Sequence, residues 1–111
     1  MIARSIEKAV AAASEKMPVI VITGPRQSGK TTLVKKMFSN YCYANLEFPD
    51  VRDFAKSDPR GFLQHEATGM IIDESQYVPE LFSYIQGIVD EKKQNGMFIL
   101  TGSQNFSLLS A

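Results

Sequence analysis

The sequence has little of several features that mark specialised classes of protein. Its 111 residues contain no tryptophan and only one cysteine. A single cysteine cannot form an internal disulfide, which favours a reducing compartment. Twelve basic residues balance twelve acidic ones, which leaves no net charge to attract nucleic acid or an anionic membrane. No apolar run approaches the roughly 20 residues that span a bilayer, and charges interrupt the N-terminal apolar pattern. The sequence therefore predicts a cytoplasmic protein without a membrane partner, and nucleic acid is not implied.

The length and composition are those of one globular domain. The hydrophobic fraction is 44% and the charged fraction is 22%, as in ordinary folded proteins. A chain of this length buries roughly 65% of its unfolded surface, which is enough for one core. Because the chain contains no repeat, linker or low-complexity tract, residues 1–111 are predicted to form a single domain.

Apolar periodicity predicts helices that alternate with strands. Spacings of three and four predict helices over residues 1–16, 30–38 and 79–93, and two short helices between residues 50 and 66 that break at Asp58-Pro59. Apolar runs predict strands over residues 19–22, 41–46, 70–72 and 97–100. Such alternation predicts an α/β fold, in which a parallel sheet carries helices on both faces. Seven residues follow Gln104, so we expect a fold that is truncated after the fourth strand.

The segment from Gly24 to Thr31 carries the strongest functional signal. It matches the P-loop pattern Gly-x-x-x-x-Gly-Lys-Thr and lies between a predicted buried strand and a helix start. Glycines let backbone N–H groups turn toward an anion at the positive end of the helix, and Lys30 can reach the β- and γ-phosphates. The Thr31 hydroxyl can coordinate Mg²⁺. The pattern predicts a P-loop NTPase, a three-layer αβα sandwich. The predicted nucleotide-binding residues are Gly24, Pro25, Arg26, Gln27, Ser28, Gly29, Lys30, Thr31 and Thr32.

Two members of that set have open alternatives. Arg26 and Gln27 lie within the loop, where contact with the nucleotide or a partner and simple exposure to solvent are both compatible with the sequence.

Tyr41 and Tyr43 alternate along the second predicted strand and are interpreted as packing residues.

A second group of polar residues follows the third predicted strand. Asp73 is predicted to hold Mg²⁺ together with Thr31, and Glu74 to accept a proton from the attacking water. Lys30 and Glu74 are therefore the main predicted catalytic residues. Ser103 or Gln104, at the end of the fourth strand, is predicted to sense the γ-phosphate, with ordinary turn chemistry as the alternative.

These residues resemble the ATPase branch of P-loop proteins that carries an additional catalytic glutamate. The chain looks like the N-terminal ATPase domain of a prokaryotic AAA+-related family in which a C-terminal domain of unknown function, with a nuclease-like fold, usually follows. In such ATPases a polar residue at the position of Asn45 often restrains the glutamate. The resemblance is carried by residues 24–33, 45–47, 58–62, 72–76 and 100–103.

The resemblance implies binding of ATP with Mg²⁺ and ATP hydrolysis, with a homo-oligomer or a partner protein supplying an arginine finger. Ser75 departs from the family pattern, because relatives more often carry an aliphatic residue there. The chain is also expected to lack the fifth strand, the helical lid and the C-terminal domain, which predicts weak or no turnover alone. One alternative is a non-hydrolysing, nucleotide-gated interaction module or a fragment that needs its missing parts. The other is a small-molecule kinase, whose lid and acceptor-site residues the chain lacks.

Overall fold

A computed structural model describes residues 4–25 and 29–103, and it shows the predicted alternation of helices and strands. The strands are β1 (Val19–Gly24), β2 (Cys42–Asn45), β3 (Met70–Asp73) and β4 (Phe98–Ser103). The helices are α1 (Arg4–Lys16), α2 (Lys30–Met37), α3 (Pro49–Ser57), α4 (Pro59–Leu63) and α5 (Leu81–Lys92), with a 3₁₀ turn at Ser75–Tyr77. The predicted α/β class is confirmed.

The four strands form one parallel sheet in the order β1-β4-β3-β2. The last strand in the chain is therefore inserted between the first and the third. In register, Gly24 pairs with Ser103 and Asn45 pairs with Asp73. This order places the end of β4 between the loop that follows β1 and the acidic pair at the end of β3.

Helices cover both faces of the sheet. Because side chains alternate along a strand, Ile71 and Ile99 point to one face, where they pack with Val34 of α2. Their neighbours Ile72 and Leu100 point to the other face, where the core includes α3, α4 and α5. The result is a three-layer arrangement of helices, sheet and helices, consistent with the P-loop-like αβα sandwich that the sequence predicts.

The ends of the elements differ from the predicted bounds. β4 runs through Gly102 to Ser103, because these residues pair in register with the last residues of β1. On α1, Val10 is buried but Ile6 is 42% exposed, and Met17, which follows the helix, is 54% exposed, although apolar residues spaced by three and four favour one buried face. In the part of the chain that the structure describes, no helix is long and apolar enough to cross a membrane.

Candidate functional site

Polar side chains converge at the carboxyl end of the sheet, on the face covered by α2. Asp73 follows Ile71 by two residues and Thr101 follows Ile99 by two, so strand alternation directs both toward that face. Tyr43 of β2 packs against the same apolar cluster. Side chains of three neighbouring strands therefore meet beneath the first turn of α2.

The first residue of α2 carries a buried ammonium group. Gly29 precedes α2 with a φ of 91°, in the left-handed region that favours glycine, and its carbonyl accepts the Leu33 N–H at 2.9 Å. Lys30 is only 3% exposed, and its Nζ donates to the Pro25 carbonyl at 3.3 Å. The positive charge is thus buried beside Pro25 rather than in solvent.

The buried Asp73 carboxylate accepts hydrogen bonds from three hydroxyl groups. Thr31 Oγ1 and the Tyr43 phenol donate to Oδ2 at 3.0 and 2.7 Å, and Thr101 Oγ1 donates to Oδ1. Burial, followed by the hydrogen bond to Asp73, raises the pKa of Tyr43 well above its usual value, so the phenol stays protonated as a donor. These bonds compensate for the cost of burying the carboxylate and direct it toward α2.

The neighbouring Glu74 is also buried and is held from two sides. Its backbone lies in the left-handed region at φ 55°, and its N–H donates to Thr101 Oγ1 at 3.2 Å. Carboxylate Oε1 accepts from Ser103 Oγ at 2.9 Å and from Gln76 Nε2 at 2.7 Å. The other oxygen, Oε2, lies 4.0 Å from Lys30 Nζ. The carboxylate therefore faces the ammonium with one oxygen and binds neutral donors with the other.

The structure brings five of the sequence-predicted site residues into one connected group: Lys30, Thr31, Asp73, Glu74 and Ser103. Gly24 and Pro25 lead into the loop, whereas Thr32 is exposed on α2. The predictions for Arg26, Gln27, Ser28 and Gln104 lie outside the described residues.

Asn45 is placed at the end of β2, but its side chain serves a local turn. Its Oδ1 accepts a hydrogen bond from the Glu47 backbone N–H at 2.9 Å. Among the described residues, the hydrogen bonds to the Glu74 carboxylate come from Ser103 and Gln76. The suggested restraint of the glutamate by Asn45 therefore receives no support from these contacts.

Sequence reasoning missed three residues of the site: Thr101, Tyr43 and Gln76. Strand alternation places Thr101 on the same face as Ser103, but the sequence does not show that β4 lies beside β3. Tyr43 does pack against the core as predicted, but its hydroxyl also binds Asp73. No sequence signal indicates Gln76, because its contact depends on the left-handed backbone of Glu74.

Two curated relatives resemble this chain, and both are uncharacterized proteins. One comes from Mycobacterium tuberculosis and one from Mycobacterium bovis, and each is 31% identical over 98 residues, which is 87% of this chain. The chain spans about a fifth of the length of these relatives, since the aligned region is 22% of each.

A family comparison covers the whole of the candidate site. The match begins just before β1 and takes in all four strands, Lys30 at the start of α2 and the acidic pair. Residues 16–111 match the model of the family described as an AAA domain, and the chain therefore belongs to the AAA domain family.

Proposed function

We propose that the chain binds ATP together with Mg²⁺ and hydrolyses its terminal phosphate, as the core of an AAA-type ATPase. The observation that carries the proposal is the contact of Thr31 Oγ1 with Asp73 Oδ2 at 3.0 Å, beside the buried Lys30 ammonium. The two oxygens come from separate elements, and hydroxyl and carboxylate oxygens are hard ligands that suit Mg²⁺. Membership of the AAA domain family agrees with nucleotide binding.

Phosphate binding is supported by the surroundings of Lys30. The residue is 3% exposed, and in the described part of the chain its ion-pair partner Glu74 lies 4.0 Å from its ammonium nitrogen. A buried ammonium is unfavourable unless it is closely paired, and phosphate oxygens would provide that pairing. Gly29, which precedes α2, has no side chain that could cap the N–H groups of the first turn. Those groups suit an anion at the positive end of the helix.

The donor set suits a magnesium ion that arrives with the nucleotide. The described residues contain no cluster of three or more His, Cys, Asp or Glu side chains that could hold a metal. Mg²⁺ is usually bound by one or two carboxylates together with substrate phosphates and water, and Thr31 and Asp73 fit that role. When bound, Mg²⁺ supplies positive charge that neutralises the β- and γ-phosphates.

In the proposed reaction, a water oxygen attacks the γ-phosphorus and the bond to the bridging oxygen breaks, which releases ADP and inorganic phosphate. Glu74 Oε2 takes the proton from the water, while Ser103 holds Oε1 at 2.9 Å. Lys30 would move from Glu74 toward the phosphates, so that Oε2 becomes free for the water. A homo-oligomer or a partner protein would supply an arginine finger, worth about a thousandfold or more in rate, so slow turnover is expected alone.

Nucleotide affinity and ATP turnover of three variants test the proposal. We expect Lys30→Ala to lose affinity, and Glu74→Gln to keep affinity but lose turnover by about 100-fold or more. Lys36→Ala, which removes an exposed lysine from the same helix, should change neither quantity. Affinity that survives Lys30→Ala would contradict phosphate binding at this loop. Binding without any turnover beyond that of Glu74→Gln would favour the non-hydrolysing, nucleotide-gated module.

A further inference from the structure

The turn after β3 folds back on itself at Glu74. Glu74 adopts φ 55° and ψ 47°, a conformation that is uncommon for a residue with a side chain. Two hydrogen bonds to Thr101 hold the turn, one from the Glu74 N–H at 3.2 Å and one from Ser75 Oγ to the Thr101 carbonyl at 3.0 Å. The left-handed residue starts the 3₁₀ turn that returns the side chain of Gln76 to Glu74. The left-handed backbone at Glu74 is therefore what brings the Gln76 side chain to the Glu74 carboxylate.

The contacts of the two Glu74 oxygens are unequal. Oε1 accepts from Gln76 Nε2 at 2.7 Å and from Ser103 Oγ at 2.9 Å, and both donors are neutral. Oε2 faces Lys30 Nζ at 4.0 Å, beyond hydrogen-bond distance. Two donors on one oxygen fix the rotation of the carboxylate, and they leave the second oxygen directed toward the Lys30 ammonium group.

The carboxamide of Gln76 can satisfy Glu74 in one orientation only. Its NH₂ group donates to Oε1, whereas a flipped amide would place its carbonyl against the carboxylate. In this orientation Gln76 Oε1 is buried and has no hydrogen-bond partner in the described part of the chain. An unpaired buried carbonyl is unfavourable, so the contact with Glu74 determines how this side chain is placed.

We propose that Gln76 is a positioning residue for the catalytic base. This inference rests on the proposed ATPase function. Gln76 and Ser103 hold Oε1 of Glu74 and aim Oε2 at the attacking water. Gln76 touches neither the nucleotide nor the metal ligands in this scheme, and it acts on the reaction through Glu74 alone.

The test compares Gln76→Met, which keeps the length of the side chain and removes the donor, with Gln94→Met at an exposed loop position. In protein labelled with ¹³C at glutamate side chains, the Glu74 carboxyl signal is assigned by its loss in Glu74→Gln and then recorded at one fixed pH without nucleotide. We expect this signal to shift in Gln76→Met, because Oε1 loses a hydrogen-bond donor. Gln94→Met should leave the signal unchanged.

Turnover supplies the second measurement. In Gln76→Met, kcat should fall about tenfold, whereas KM for ATP should stay within about twofold. Gln76→Glu, which places a second carboxylate beside Glu74, should also shift the carboxyl signal and lower kcat, because like charges repel. It also provides a second variant if Gln76→Met folds poorly.

The outcomes separate this inference from the proposed function. An unchanged Glu74 carboxyl signal in both Gln76 variants overturns the inference, whatever the enzyme does. A shifted signal with wild-type kcat in a chain whose turnover depends on Glu74 also overturns it. If turnover is absent or indifferent to Glu74→Gln, the proposed hydrolysis fails and with it the role of Gln76 as a positioning residue. The carboxyl signal then still reports whether Gln76 holds the carboxylate.

Discussion

Thr101→Val would remove a single hydroxyl group from the centre of the site while keeping the branched shape of the side chain. Thr101 is fully buried, and its Oγ1 donates to Asp73 Oδ1 and accepts from the Glu74 N–H at 3.2 Å. Valine prefers a strand as threonine does, so the backbone of β4 should be maintained. The variant therefore isolates the contribution of the two hydrogen bonds.

The expected loss of stability follows from those two bonds. A buried N–H left without an acceptor costs about 1–3 kcal/mol, and a lost hydrogen bond to a charged group costs about 1.5–3 kcal/mol. Asp73 keeps its hydrogen bonds from the hydroxyls of Thr31 and Tyr43, and the hydrogen bond from the Glu74 N–H is long. The loss of stability should therefore lie in the lower half of the range that the two costs give when added. We expect the free energy of unfolding to fall by about 2.5–4 kcal/mol, a large part of the roughly 5–15 kcal/mol typical of a domain.

Urea denaturation measures this loss. The midpoint should move down by about 1–2 M with an unchanged slope. Thr101→Ser is the matched control, since it keeps the hydroxyl, loses one methyl group and should cost only about 1 kcal/mol. A valine variant as stable as the serine variant would refute the reasoning, because it would show that neither hydrogen bond of the hydroxyl contributes measurably.

Three further substitutions test other features. Tyr43→Phe should cost about 1 kcal/mol of the free energy of unfolding near neutral pH, because the hydrogen bond to Asp73 is lost. Since burial and Asp73 raise the pKa of the Tyr43 phenol above 10.0, the stability difference from wild type in urea denaturation should shrink as pH rises above that value. A difference that stays constant with pH would contradict this. Gly29→Ala and Gly96→Ala both place a side chain at positive φ, which costs about 1–2 kcal/mol, and Gly96→Ala should lose more because its Cβ would lie 2.9 Å from the Ser14 carbonyl oxygen. Calorimetry should nevertheless find weaker nucleotide binding for Gly29→Ala alone. Gly87→Ala, within α5 and with open space around the added carbon, should gain about 0.5–1 kcal/mol in thermal unfolding, and a loss would mean an unseen contact.

Much of the fold could be predicted because the local signals are strong. Apolar runs with β-branched residues marked β1, β3 and β4, aromatic residues marked β2, and periodicity marked the helices to within a few residues. The end of β4 was missed, because polar and glycine residues there are strand residues only through their pairing with β1. The exposure of Ile6 and Met17 was also missed, since an apolar stripe on a helix does not specify what covers it.

The candidate site shows the same division between local and distant information. Lys30 and Thr31 stand out because the loop pattern is contiguous, and Asp73 and Glu74 because they directly follow a buried strand. Thr101 did not stand out, although strand alternation shows its direction, because the sequence does not say that β4 lies beside β3. Gln76 could not be found, since an unusual backbone conformation at one residue decides its contact.

The sequence by itself determined the class of fold, the phosphate-binding loop and the pair of carboxylates, because each depends on residues that are neighbours in the chain. The tertiary structure alone decided which side chains those carboxylates meet. The strand order places β4 between β1 and β3, so Thr101 and Ser103 reach an acidic pair almost 30 residues away. A pattern of residues encodes local geometry, whereas strand order results from how whole elements pack, and the hydrogen bonds that orient Asp73 and Glu74 depend on that packing.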